Sequence, residues 1–143
     1  MTDAQQYPWL RNYPEGVPAE INPDIYESLV DFQEKMCAEY GTAPAFTNLG
    51  SNMSYRDFDT KVTALAAYLQ SLPGVEQGDR VALMMPNLFQ YPVALFAVLK
   101  AGLIVVNVNP LYTSRELGGV LKDSEAKVLI IIENLAKTFE RIQ

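Results

Sequence analysis

The clearest hydrophobic pattern is a pair of short apolar runs flanking a longer apolar segment between Gly78 and Val108. Arg80–Met85 follows a Gly78-Asp79 turn, is nearly all apolar, and stops at Pro86-Asn87. A run of that length and punctuation predicts a strand buried on both faces. Leu88–Ala101 is long enough for a helix, with Val93, Phe96, Ala97 and Lys100 at three- and four-residue spacing and Pro92 acceptable in the first turn. Leu95, Leu99 and Leu103 mark the stripe expected to face the sheet, with Lys100 off it. Gly102 supplies a left-handed stop, and Leu103–Val108 is a second β-branched run ended by Asn109-Pro110. Strand, helix and strand at this spacing predict a βαβ unit with parallel strands and a right-handed crossover.

The flanking segments extend this unit in both directions. Residues 1–23 hold Pro8, Pro14, Pro18 and Pro23 among Tyr7, Trp9 and Tyr13, which reads as an extended lead-in lying along a surface. Asp24 with Glu27 predicts a capped helix over Ile25–Tyr40, with Leu29, Phe32, Met36 and Tyr40 as its apolar stripe and Gly41 as its end. Ala45–Leu49 and Asn52–Tyr55 flank Gly50-Ser51, a short hairpin. Ser54 and Asp57 open a helix to Ser71, with Phe58, Val62, Leu65 and Leu69 on one face and Pro73-Gly74 closing it. Thr113 and Glu116 form a capping box for a helix reaching Asp123, although Gly118-Gly119 weakens its interior. Val128–Ile132 is a third buried strand, and Leu135–Gln143 starts a helix that has no closing signal. The expected class is α/β: a partial doubly wound parallel sheet in βαβαβ order, preceded by a helix–β-hairpin–helix segment. Residues 24–143 read as the truncated start of a longer domain, with an unpaired apolar edge that favours self-association.

Composition narrows the function classes. The chain of 143 residues is 49% hydrophobic and 20% charged, the balance of a folded domain. Its net charge of -6 and scattered Lys and Arg supply no basic stripe for nucleic acid. It has no His, which removes the commonest general base and most zinc sites. A lone Cys37 excludes an internal disulfide and fits a reducing, cytoplasmic setting, and no signal peptide or membrane-spanning run is evident.

No local motif assigns chemistry by itself. The glycines form neither a dinucleotide fingerprint nor a phosphate loop. Asp57 and Asp59 project to different sides of their helix and read as solvated charges rather than a carboxylate pair. Asn87, Asn109, Pro110 and Tyr112 lie just past the carboxyl ends of predicted parallel strands, where α/β sheets collect ligands, although Asn and Pro are equally ordinary turn residues. Lys137 follows the third strand and is expected near the same rim, although taken alone it reads as a surface lysine.

The stretch GDRVALMMPNLFQYPVALFAVLKAGLIVVNVNPLYTSREL resembles the amino-terminal domain of long-chain fatty acid–CoA ligases of the acyl-adenylate-forming superfamily. Trp9-Leu10, Tyr13–Pro18, Pro44–Phe46, Met53–Tyr55, Ala66–Gln70 and Asp123-Ser124 carry the likeness over essentially the whole chain, with Asn107–Thr113 the most family-specific piece. The resemblance implies a parent enzyme using ATP, Mg2+ and CoA to convert a fatty acid to acyl-CoA through acyl-AMP. It implies that Asn109, Pro110, Leu111 and Lys137 meet the nucleotide end of CoA. No catalytic or metal-binding residue is expected within this stretch, because the family's phosphate loop, adenylate motif and carboxy-terminal lysine are absent from it. The fragment alone is expected to be inactive and to hold no cofactor tightly. The parent's place is expected in the cytoplasm, with room for peripheral contact with the inner membrane. The alternative from a different class is a free-standing, non-catalytic α/β module that binds a partner through its open sheet edge.

Overall fold

In the computed structural model, which describes residues 7–142, the apolar runs form a three-stranded parallel sheet. Helix α1 (Leu29–Tyr40) leads into a hairpin of β1 (Pro44–Asn48) and β2 (Ser51–Ser54). Then follow α2 (Tyr55–Ser71), β3 (Arg80–Met84), α3 (Gln90–Lys100), β4 (Ile104–Val108), α4 (Ser114–Ser124), β5 (Val128–Ile131) and α5 (Ala136–Glu140). The first six residues of the lead-in and the expected helix end at Gln143 lie outside the described residues.

Strand β3 is central, in the order β4-β3-β5, and Val81 pairs with Val105 on one side and Val128 on the other. Its alternation sorts the core into two halves. Val81, Leu83 and Met85 join Phe58, Val62 and Leu69 of α2 and Ala94, Ala97 and Val98 of α3. Ala82 and Met84 face the other way, against Val108, Leu117 of α4 and the half-buried Leu135 and Ile142. Helices therefore cover both sheet faces, as a parallel sheet requires. The βαβαβ expectation is met.

Several local expectations change. Ser28, not Asp24, caps α1, accepting the Asp31 N–H at 3.0 Å. Pro23–Ile25 is a separate 3-10 turn whose start is capped by Asn22, because two oxygen-bearing side chains compete for one helix start and the serine sits at the right offset. Pro8–Asn12 is another 3-10 turn within what the prolines suggest is extended chain. In the hairpin, Leu49 (φ 48°) and Gly50 (φ 80°) form the two-residue turn, one position earlier than Gly50-Ser51. Positive φ at both central residues is the geometry whose twist matches antiparallel strands.

The buried face of α3 is also rotated from expectation. Ala94, Ala97, Val98 and Ala101 are buried, whereas Leu99 is only half-buried. The small residues let α3 approach the sheet and α2 closely, leaving the leucines to flank the contact. Lys100 is no free surface lysine: its Nζ lies 2.9 Å from Glu34 Oε1 of α1 and 3.7 Å from Asp59 Oδ1 of α2.

This geometry ranks two substitutions. Val98→Asp places an unpaired carboxylate where a fully buried apolar side chain stood and is expected to unfold the chain. Lys100→Asp sets a third carboxylate beside Glu34 and Asp59 and is expected to lower the melting temperature while leaving a folded protein. Parallel thermal melts check the ranking; a Val98→Asp variant melting with the parent would mean this face is misassigned.

Candidate functional site

Three parallel strands present their carboxyl ends to one rim, where the following turns converge. Asn87 follows the central strand, and its carbonyl accepts from Asn48 Nδ2 of the hairpin at 3.4 Å. On the neighbouring strand, the Tyr91 hydroxyl of α3 donates to Asn107 Oδ1 at 2.9 Å, fixing the helix start to the end of β4.

The turn after β4 is the most tightly specified piece of the rim. Asn109 Oδ1 accepts the Leu111 N–H at 3.0 Å and its carbonyl accepts the Tyr112 N–H at 3.1 Å. Thr113 then caps α4: its Oγ1 accepts the Glu116 N–H at 3.4 Å, while Glu116 Oε2 accepts the Thr113 N–H and O–H, each at 2.8 Å. Those donations from the Thr113 backbone and hydroxyl hold the Glu116 carboxyl below the usual carboxylate range. The result is a braced turn that leaves Leu111 87% exposed. Asn109, Pro110 and Leu111 thus sit together in one turn. Lys137 lies in the first turn of α5, exposed, with no carboxylate at ion-pair distance among the described residues. It follows β5 and so lies outside that turn. Strand β3 separates the two, so their strands are two interstrand spacings apart, roughly 10 Å.

Beside the rim, on the α2–α3 side of the sheet, lies an open cleft of about 690 Å³. Met53, Leu65, Met85, Phe89, Val93 and Ile130 supply apolar walls, and Asn52, Asp57, Lys61 and Gln90 supply polar lining. Its walls come from the hairpin, two helices and two strand ends, and no local sequence pattern links them.

A second polar cluster sits where α1, α2 and α3 meet. Gln33, only 2% exposed, donates from Nε2 to Asp59 Oδ1 and to Cys37 Sγ, each at 3.1 Å. Its Oε1 is buried with no partner. Asp59 keeps about two fifths of its side chain in solvent but is also paired, which the sequence reading did not anticipate. Burial raises the Cys37 thiol pKa. Burial also pulls on Lys100, but Glu34 and Asp59 outweigh it and raise the ammonium. The signal that could have found this cluster is the Gln33–Cys37 four-residue spacing, flanking the expected apolar stripe. Among the described residues, no group of three or more His, Cys, Asp or Glu is placed to hold a metal ion. No described helix is long and apolar enough to cross a membrane.

The fold has counterparts among known proteins. Residues 33–143 match the AMP-binding enzyme family. The chain belongs to that family. It is 57% identical over 134 residues to the long-chain-fatty-acid--CoA ligase of Escherichia coli O6:H1, an alignment covering 94% of this chain and 24% of that protein. The chain thus spans about a quarter of the length of the curated relatives it matches. Among solved structures, the anthranilate CoA ligase AuaEII in complex with anthranoyl-AMP superposes with a TM-score of 0.76 at 26% identity, over 82% of this chain and 22% of that one. The N-terminal domain of FACL13 from Mycobacterium tuberculosis gives a TM-score of 0.70 at 25% identity, over 78% of this chain and 28% of that one. As an AMP-binding enzyme chain, the protein contributes a parallel sheet of three strands, the hairpin beside it and the braced β4–α4 turn.

The turn's rigidity depends on its cap. Thr113→Ala in this AMP-binding chain removes the hydroxyl that pairs with Glu116 and is expected to cost about 0.5–2 kcal/mol. Denaturant midpoints at constant slope measure it; an unchanged midpoint would show that the capping box contributes nothing to stability.

Proposed function

We propose that this chain is the amino-terminal portion of a long-chain fatty acid–CoA ligase, residues 24–143 beginning its large domain and residues 1–23 leading into it. The observation that carries the proposal is 57% identity across 94% of the chain to enzymes of that name. The whole enzyme joins a fatty acid to AMP at the expense of ATP, releasing pyrophosphate, and then transfers the acyl group to the thiol of CoA, releasing AMP. It works in the cytoplasm, with peripheral contact at the inner membrane where its substrate partitions.

The residues present do not form a phosphate loop, and no acidic cluster is placed for Mg2+ among the described residues. No step through ATP or the metal is therefore assigned to this chain. A site for the nucleotide end of CoA does fit. Leu111 projects from a turn braced by Asn109, offering an apolar surface for a planar base, and Pro110 stiffens the backbone beneath it. Lys137, free of any acidic partner among the described residues, is available to a phosphate on the same rim. These residues bind and orient; they move no proton.

Two measurements test the reading. The purified 143-residue chain is expected to make no acyl-CoA from ATP, fatty acid and CoA, since positioning of the phosphates is most of adenylation chemistry. Turnover by the isolated chain would overturn that. In the enzyme encoded by the full reading frame, Lys137→Glu is expected to raise KM for CoA several-fold with KM for ATP unchanged, the signature of lost ground-state binding. An unchanged KM for CoA would remove Lys137 from the site.

The isolated chain also self-associates on this reading. Both outer strands carry unpaired edges, and Leu29, Ile21, Ile25 and Trp9 are more than half exposed. Sedimentation velocity at concentrations of tens of micromolar is expected to reveal species larger than a monomer. A single monomer boundary across that range would count against it.

A further inference from the structure

Helix α1 meets the domain in an unusual way. Its buried side chains are Gln33 and Cys37, while Leu29 is 60%, Phe32 37% and Tyr40 46% exposed and Met36 is half-buried, so most of the apolar stripe read from the sequence points outward. What holds the inner face is largely polar. Lys100 of α3 reaches Glu34 of α1 and Asp59 of α2, and Gln33 of α1 donates to the same Asp59 oxygen. Asp59 can only accept there, which fixes the Gln33 amide with Nε2 inward and leaves Oε1 buried and unpaired. An orphaned acceptor is a penalty of the closed arrangement that water relieves as soon as the helix lifts.

The contrast with the neighbouring contact is sharp. Between α2 and α3 and the sheet lie Phe58, Val62, Leu69, Ala97 and Val98, all nearly or fully buried apolar side chains. Elements with few buried apolar contacts open first, and by much less than the global stability. The far end of α1 is pinned: Gly41 (φ 46°) ends the helix, its carbonyl accepts the Arg56 N–H at 2.8 Å, and the Ala43 carbonyl accepts the Tyr55 N–H at 3.1 Å.

We propose that α1, with the segment preceding it, is a latch that swings about Gly41 while the sheet stays folded, and that the Lys100–Glu34–Asp59–Gln33 junction is its clasp. Two of the clasp's charged groups, Glu34 and Asp59, are about half exposed, so dissolved salt reaches and weakens it. Opening uncovers Cys37, the chain's single thiol and hence a direct reporter.

The experiment follows the alkylation of Cys37 by N-ethylmaleimide, a neutral reagent, in the native 143-residue chain at low micromolar concentration, normalised to glutathione under the same conditions. Amide hydrogen exchange in Val81–Met85 is followed alongside. Cys37 is expected to react well ahead of exchange in that strand. Raising sodium chloride from low to high ionic strength should accelerate the reaction without loosening the strand. Lys100→Met should speed the reaction by about two- to fivefold, the range a partly exposed ion pair supports, and should abolish most of the salt effect. Cys37 reactivity that tracks exchange of Val81–Met85, or that ignores salt in the parent, overturns the proposal. Should Lys100→Met fail to fold, the parent's salt series decides the matter by the same two criteria.

Discussion

The structure depends on the removal from water of one strand on both of its faces. Val81 through Met85 are all buried, and their alternation assigns every other element to a layer. A two-sided strand can satisfy its backbone only with a neighbour at each edge, so β4 and β5 must pair with it, both parallel. Parallel neighbours in turn demand crossovers, and the crossovers supply the helices that cover the faces. The carboxyl rim, with its braced turn, then follows from strand direction.

Much of this was legible in the sequence because apolar runs and turn residues report directly on burial and chain reversal. The three core strands, the crossover helix and the Thr113–Glu116 box appear close to where periodicity and capping place them. Small errors arose where two local signals compete. Asp24 and Ser28 both offer a cap oxygen, and Leu49 adopts a positive φ that a leucine's own preference disfavours. In that turn, strand register overrode residue propensity.

The larger misreadings share one cause. A stripe of leucines on α3 and an apolar stripe on α1 both suggested inward faces, and in each case the smaller or more polar side turned in. Helical periodicity locates a distinct face but does not say which neighbour it meets. Ala97 and Val98 win on α3 because close approach to α2 and the sheet favours small side chains there. The pairing of Asp59 was not legible because its partners, Gln33 and Lys100, lie on other helices. The rim was readable for the opposite reason: Asn109, Pro110 and Leu111 are neighbours in sequence, so their turn is local. Lys137 follows β5, and the strand order β4-β3-β5 that sets β5 relative to that turn is contained in no short window.

That strand order also bears on how the chain is made. A ribosome delivers β3 before either of its partners, and Val81 must wait for Val105 and then, after a similar length of chain, for Val128. Closing those two loops costs entropy before either pairing is rewarded, whereas the β1–β2 hairpin closes over two residues and can form at once. Nascent chains therefore emerge with their most deeply buried strand finished early and uncovered for longest, a window in which holding chaperones have something specific to grip.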